Sequence, residues 1–249
     1  MNRQSLIFIP QVKPNARFRL VCFPYAGGSA LTYNQWAKKL HSNVELALIQ
    51  LPGRSSRFSE KPYETMSDLV KDIFISLNGL TKKKLVFFGH SMGARVAYEL
   101  TLLLKLHTYN LPISIIVSGS VAPGVKRTKE PSFMLPDEEF ISHLRELNGT
   151  PEEILKNDEI MHLLLPAIRA DFKIFETYHN RSIGAVSTQI SIFSGKKDNL
   201  ELSDLEAWLP LFTSNTGIHW FDGGHFFVEE NRDEVIDKVN EILGKLQPI

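Results

Sequence analysis

Along the chain, short continuous apolar runs alternate with longer stretches of helical period. "FRLVCF" (18–23), "VELALIQ" (44–50), "KLVFFG" (84–89), "ISIIVSG" (113–119), "QISIFSG" (189–195) and "GIHWF" (217–221) predict strands. Helices fit at 30–40, 65–77, 92–107, 201–213 and 229–246. In the second of these, Met66, Leu69, Ile73 and Leu77 fall on one side. The strands mostly lack polar alternation, so both their faces are expected to be covered. With helices between them, this predicts an α/β fold built on a mainly parallel sheet.

The alternation stops between about Val121 and Arg181, where helical periods continue without a convincing strand. Asp137 and Glu138 suit the start of a helix carrying Phe140, Ile141, Leu144 and Leu147, and a second helix from Pro166 aligns Ile168, Phe172 and Phe175. Some 60 residues exceed what one crossover needs. The segment 121–181 is therefore expected to be a helical lid inserted into a single domain spanning 1–249.

Composition narrows the function classes. The 249 residues carry 28 acidic and 28 basic side chains, a balance that gives no support to a nucleic-acid or anionic-membrane partner. No window approaches the roughly 20 apolar residues of a membrane span, and Pro10 and Pro14 interrupt a leading apolar run too short for a signal-peptide core. The one cysteine, Cys22, lies in an apolar strand, reads as a buried thiol, and has no companions for a disulfide or a zinc cluster. These features predict a reducing, cytoplasmic setting, no metal or bound cofactor, and by default a monomer.

The candidate chemistry centres on "GHSMG" (89–93), a G-x-S-x-G pattern with a predicted strand before it and a helix after it. So tight a turn needs glycine at 89 and 93 and lifts Ser91 to the helix N-terminus, where the Met92 N–H can meet developing negative charge. A serine hydroxyl needs a base. His225 in "FDGGHFF" follows the last strand, whereas His41 and His107 sit near helix ends, His143, His162 and His179 in the insertion, and His219 within a strand. His90 adjoins the serine but points away from it in an elbow. The supporting acid belongs after the preceding strand, where "SGKKDN" offers Asp198; Asp204 and Asp222 are its rivals. A second oxyanion donor is expected from "FPYAGGSA" after the first long strand, with the Ala26 N–H preferred. No G-x-G-x-x-G or G-K-[ST] supports a phosphate cradle there.

With these residues in view, the chain resembles the type II (external, editing) thioesterases of nonribosomal peptide and polyketide biosynthesis. The resemblance rests on "FPYAGGSA", "QLPGRSSRF", "FFGHSMGARVAYEL", "LPDEEFISHLRELNGTPEEIL", "LLLPAIRADFKIFETY", "FSGKKDN" and "FDGGHFFV" in the same order and spacing. It implies an α/β-hydrolase core with a helical lid, acting on acyl groups held as thioesters on the phosphopantetheine arm of acyl or peptidyl carrier proteins. It further implies a Ser91–His225–Asp198 triad with Met92 and Ala26 as oxyanion donors. The residues before Asp198 depart from the family, which more often has a second glycine or an acid there.

The apolar faces of the insertion suggest an acyl chamber near Phe133, Met134, Leu163, Leu164 and Phe172; equally, these side chains could only pack the insertion against the core. "KRTK", with Lys126, Arg127 and Lys129, could meet an acidic carrier or be a solvated loop. A small-ester esterase, an acyltransferase on the same core and a non-catalytic carrier-protein binder are the rival functions.

Overall fold

The sequence folds around the parallel sheet that its apolar runs call for. The computed structural model describes residues 6–77, 79–107, 110–125, 130–179 and 184–246. Among these, seven strands form one sheet: β1 (Ile7–Phe8), β2 (Phe18–Phe23), β3 (Val44–Ile49), β4 (Lys84–His90), β5 (Ser114–Ser118), β6 (Val186–Gly195) and β7 (Phe212–Phe221). Their order is β1-β3-β2-β4-β5-β6-β7, with β1 antiparallel to β3 and every other pairing parallel. Every residue of β2, β3 and β5 is buried, which is why these strands read as mainly apolar runs; their two charged members, Arg19 and Glu45, are buried as an ion pair.

The two faces of the sheet carry separate cores. Val21, Phe23 and Phe87 point into one, beneath α2 (Met66–Ser76) and α3 (Met92–Leu106), after α1 (Leu31–Asn34) in chain order. Their neighbours Leu20, Cys22 and Phe88 point into the other, shared with Trp36 and with Val235 and Val239. Between β5 and β6 the chain inserts α4 (Asp137–Leu147), α5 (Glu152–Leu155) and α6 (Asp158–Glu176). Phe140, Leu144, Leu155, Met161, Leu165, Ile168 and Phe172 give this insertion an apolar cluster of its own. After β6 come α7 (Leu202–Glu206), α8 (Phe227–Glu230) and α9 (Arg232–Lys245), the last two following β7.

Several elements depart from the expected pattern. The helix expected over 201–213 stops at Glu206; a 3-10 turn over Leu209–Leu211, with Pro210 at its start, leads straight into β7. The helix expected from Pro166 begins at Asp158 instead, where the Asn157 side chain accepts the Ile160 N–H at 3.0 Å. Proline removes one intrahelical hydrogen bond. Here Pro166 and His162, whose carbonyl loses its donor, both lie on the exposed face, where water can take that donor's place. The basic run Lys126, Arg127 and Lys129 lies outside the described residues. No helix among the described residues is long and apolar enough to cross a membrane.

Candidate active site

Ser91 occupies the one-residue turn between β4 and α3, at φ 52° and ψ −116°. A non-glycine residue in such a conformation costs on the order of 1–3 kcal/mol and persists only when its surroundings impose it. They do so here. The Ser91 N–H donates to the Ser118 carbonyl of β5 at 2.8 Å, and the Ser91 carbonyl accepts the Ala94 N–H at 3.1 Å. A Cβ at Gly89 would stand 2.2 Å from the Gly93 carbonyl oxygen, and one at Gly93 would stand 2.2 Å from the Phe23 carbonyl oxygen. Both glycines are thus required by main chain that cannot retreat. Met92 is the first residue of α3, so its N–H has no intrahelical acceptor and sits at the positive end of the helix dipole. Its side chain is fully buried, leaving only the amide for chemistry.

The loops after β6 and β7 are locked together. Lys196 N–H donates to the Phe221 carbonyl at 2.8 Å, and Lys197 N–H to the Gly223 carbonyl at 2.9 Å. Gly195 is pressed so close that a Cβ there would lie 2.3 Å from the Gly224 oxygen. This pairing brings Asp198 Oδ2 within 2.9 Å of His225 Nδ1. The carboxylate is buried while the imidazole is partly open. The two rival acids have other partners: Asp204 accepts the Glu201 N–H at 3.0 Å, and Asp222 pairs with Lys196 at 2.6 Å on the surface.

The His225 ring lies 5.0 Å from that of His90, the residue before Ser91. His90 is wholly buried and bonds Ser118 Oγ through Nδ1 at 2.9 Å. Burial, and secondarily the nearby His225, hold its pKa well below the ordinary histidine value, with the His225 main chain opposing in part. A neutral ring therefore lies against the partly open imidazole. Tyr25 packs edge-on against His90 at 5.8 Å and against Phe226 at 5.1 Å, and donates its hydroxyl to Glu229.

The loop 25–28 after β2 is fixed by residues that sequence reasoning did not single out. Gly27 N–H donates to Asp171 Oδ2 of α6 at 2.8 Å, Gly28 N–H to the Tyr25 carbonyl at 2.9 Å, and Arg54 Nη1 to the Gly28 carbonyl at 3.1 Å. Arg54 Nη2 reaches Asp171 Oδ1 at 2.9 Å, closing a buried ion pair. Gln50 Oε1 accepts the Ala30 N–H at 3.2 Å, tying down the far end of the loop. One signal was present in the sequence: Asp171 is a charged residue in register with the apolar stripe of Ile168, Phe172 and Phe175.

A cleft of about 190 Å³ opens between this loop and the insertion, walled by Ala26, Leu144, Ile154, Leu164, Ile168 and Phe172, and reached by Phe226 from the His225 loop. Of the expected chamber residues, Leu164 and Phe172 line it and three do not. Leu163 is 55% exposed on the outer face of α6, one residue out of register with Leu164. Met134 is 74% exposed in a 3-10 turn. The Phe133 main chain is tied to Glu176 and Arg169, which keeps it at the outer side of the insertion's cluster. No group of His, Cys, Asp or Glu suited to a metal ion occurs among the described residues.

Comparisons with known proteins identify the family and the fold. The family model for the thioesterase domain matches residues 18–243. The gramicidin S biosynthesis protein GrsT of Aneurinibacillus migulanus is 36% identical over 227 residues, covering 91% of this chain and 89% of that protein. The solved structure of the type II thioesterase BorB from the borrelidin biosynthetic cluster superposes with a TM-score of 0.87 at 32% identity, covering 97% of this chain and 98% of BorB. ClbQ, from the colibactin nonribosomal peptide and polyketide pathway, gives a TM-score of 0.88 at 30% identity over 93% of this chain and 98% of its own. With a serine elbow on a parallel sheet and a family match from β2 to α9, the chain belongs to the thioesterase domain family and is a thioester hydrolase of the α/β-hydrolase fold.

Proposed function

We propose that this enzyme hydrolyses acyl thioesters on the phosphopantetheine arm of carrier proteins in a nonribosomal peptide or polyketide assembly line, freeing carriers blocked by unwanted acyl groups. The observation that carries the reading is the 2.9 Å contact of Asp198 Oδ2 with His225 Nδ1, whose ring lies 5.0 Å from that of His90, the residue before a serine held at φ 52°. Asp198 fixes the imidazole with Nδ1 protonated, which leaves Nε2 free to take a proton.

His225 Nε2 removes the Ser91 hydroxyl proton as Oγ attacks the thioester carbonyl. The Ala26 and Met92 amides receive the resulting oxyanion. The carbon–sulfur bond breaks, and the leaving thiolate takes the proton from His225. Water then attacks the acyl-enzyme with His225 again as base, releasing the free acid and restoring Ser91. The reaction needs no metal or bound cofactor of the enzyme's own. The insertion over 121–181 acts as the lid of a single-domain, monomeric, cytoplasmic enzyme, and its cleft beside Ala26 receives the acyl group through Leu164 and Phe172. Carrier proteins are its partners; nucleic acid and membrane are not.

Intact-protein mass spectrometry of an acyl-loaded carrier exposed to wild type and to Ser91→Ala tests the reading. The acyl mass disappears with wild type alone, leaving holo carrier and free acid. An unchanged carrier with folded wild type would redirect the assignment to small free esters or to a silent binder.

A further inference from the structure

The carboxylate of Asp171, 2% exposed, projects from the insertion onto the main chain of the loop after β2. Its Oδ2 accepts the Gly27 N–H at 2.8 Å while Oδ1 holds Arg54 Nη2 at 2.9 Å. Arg54 in turn donates to the Gly28 carbonyl at 3.1 Å. One buried ion pair thus grips the donor of one residue and the acceptor of the next. Within this turn the Gly28 N–H is already spent on the Tyr25 carbonyl at 2.9 Å. Among the described residues, nothing accepts the Ala26 N–H.

The peptide unit that joins Ala26 to Gly27 is planar, so anchoring the Gly27 N–H sets that plane immediately beside Ala26. Gly27 lies at φ 81°, a conformation that glycine adopts freely but does not itself enforce, so the hydrogen bonds from Asp171 and Arg54 are what hold the turn there. For stability alone, apolar side chains can replace a buried ion pair. This pair, however, directs its hydrogen bonds at the loop that carries the proposed oxyanion donor.

We propose that Asp171 is a positioning residue: acting through Gly27 and Arg54, it aims the Ala26 N–H at the oxyanion. The proposal rests on the thioesterase reading with Ala26 as one of the two donors. Because Asp171 belongs to α6, the oxyanion hole is complete only while that helix is seated against loop 25–28.

The test uses two variants of the full chain, the isosteric apolar pair Arg54→Met/Asp171→Leu and the conservative Asp171→Asn. Each is assayed for hydrolysis of butyryl-N-acetylcysteamine, for inhibition by butylboronic acid, whose tetrahedral adduct on Ser91 carries an oxyanion, and for Ser91 labelling by a fluorophosphonate. Losing an oxyanion donor outright costs 10²–10³ in kcat. The apolar pair, which misaims the donor without deleting it, is expected to lose about 10- to 100-fold in kcat with KM within about twofold. Boronate affinity and labelling rate fall in proportion. Asp171→Asn keeps one acceptor for Gly27 and falls between.

A folded apolar pair within twofold of wild type in kcat and boronate affinity overturns the proposal. So does a fall in kcat that leaves boronate affinity untouched. If the apolar pair does not fold, the same comparison on Asp171→Asn decides. If wild type fails to cleave the thioester, the thioesterase reading fails by itself, and boronate affinity and labelling still report on the loop.

Discussion

Phe226 fills the space in which residue 149 would otherwise carry a side chain: a Cβ on Gly149 would stand 2.0 Å from the Phe226 Cζ. Gly149 lies in the insertion, just after the left-handed Asn148 that ends α4, and Phe226 directly follows His225. The insertion thus meets the base-bearing loop at an aromatic ring, which also packs on Tyr25 and on the His225 imidazole. A lid built on this insertion would rest one residue away from the base.

Gly149→Ala forces the ring or the loop to move. Because the atoms in the way are the tip of a ring that can swing, the cost sits at the low end for overpacking, about 1 kcal/mol. The expected outcome is a lower melting temperature and a roughly tenfold loss in kcat/KM, because a displaced Phe226 drags His225. Combining it with Phe226→Leu should recover part of that loss, since residues in contact couple non-additively. Thermal denaturation and steady-state kinetics of the two single variants and the double variant measure the coupling; additive effects would show that the contact does not hold His225.

Asp198→Asn keeps the shape of the acid but offers His225 Nδ1 either a neutral acceptor or a donor. Where an acid orients a histidine base in this way, the amide replacement lowers kcat about 10⁴-fold by favouring the wrong tautomer. A loss of about 10³- to 10⁴-fold in thioester hydrolysis is expected, with little change in folding. Asp222→Asn, which only breaks an exposed pair with Lys196, should leave turnover within about twofold. If the two variants exchanged these phenotypes, Asp222 would be the acid.

Much of this was legible because the determinants are local. The elbow is written in five consecutive residues, and the fully buried strands are written as mainly apolar runs. What escaped was settled by partners far along the chain. The two-residue β1 is a strand only because Ile7 and Phe8 pair with Ile49 and Leu48. Asp171 and Arg54 lie 117 positions apart, and neither announces the other. Leu163 and Leu164 look alike in sequence. Only the rotation of α6, set by its start at Asp158, decides which of them lines the cleft.

Gly93→Ala tests the local part of the argument. The added methyl would meet the Phe23 carbonyl oxygen at 2.2 Å and the Pro24 carbonyl oxygen at 2.7 Å, both main-chain atoms at the end of β2. No side-chain rotation relieves such a clash. Destabilisation of at least about 3 kcal/mol is expected, the upper end for overpacking, together with loss of activity. Urea denaturation gives the first quantity. A variant as stable as wild type would mean that the elbow can open away from β2.

Buried histidine makes the stability of the fold depend on pH. Folding holds His90 well below its ordinary value of 6.5, chiefly through burial. Well above pH 6.5 the imidazole is neutral in both folded and unfolded chains and contributes no slope. Below it the unfolded chain binds a proton that the folded chain refuses, so stability falls as pH falls, by up to about 1.4 kcal/mol per pH unit for one such group. His219, also depressed mainly by burial, adds a contribution of the same sign. Melting temperature should therefore decline from pH 7.5 to 5, above the range where the carboxylates titrate. His90→Gln removes one of the two contributions, so its decline over this window should be shallower than that of wild type. Parallel declines in the two proteins would mean that His90 accepts a proton in the folded state as readily as in the unfolded one, and that the ring beside His225 is not kept neutral.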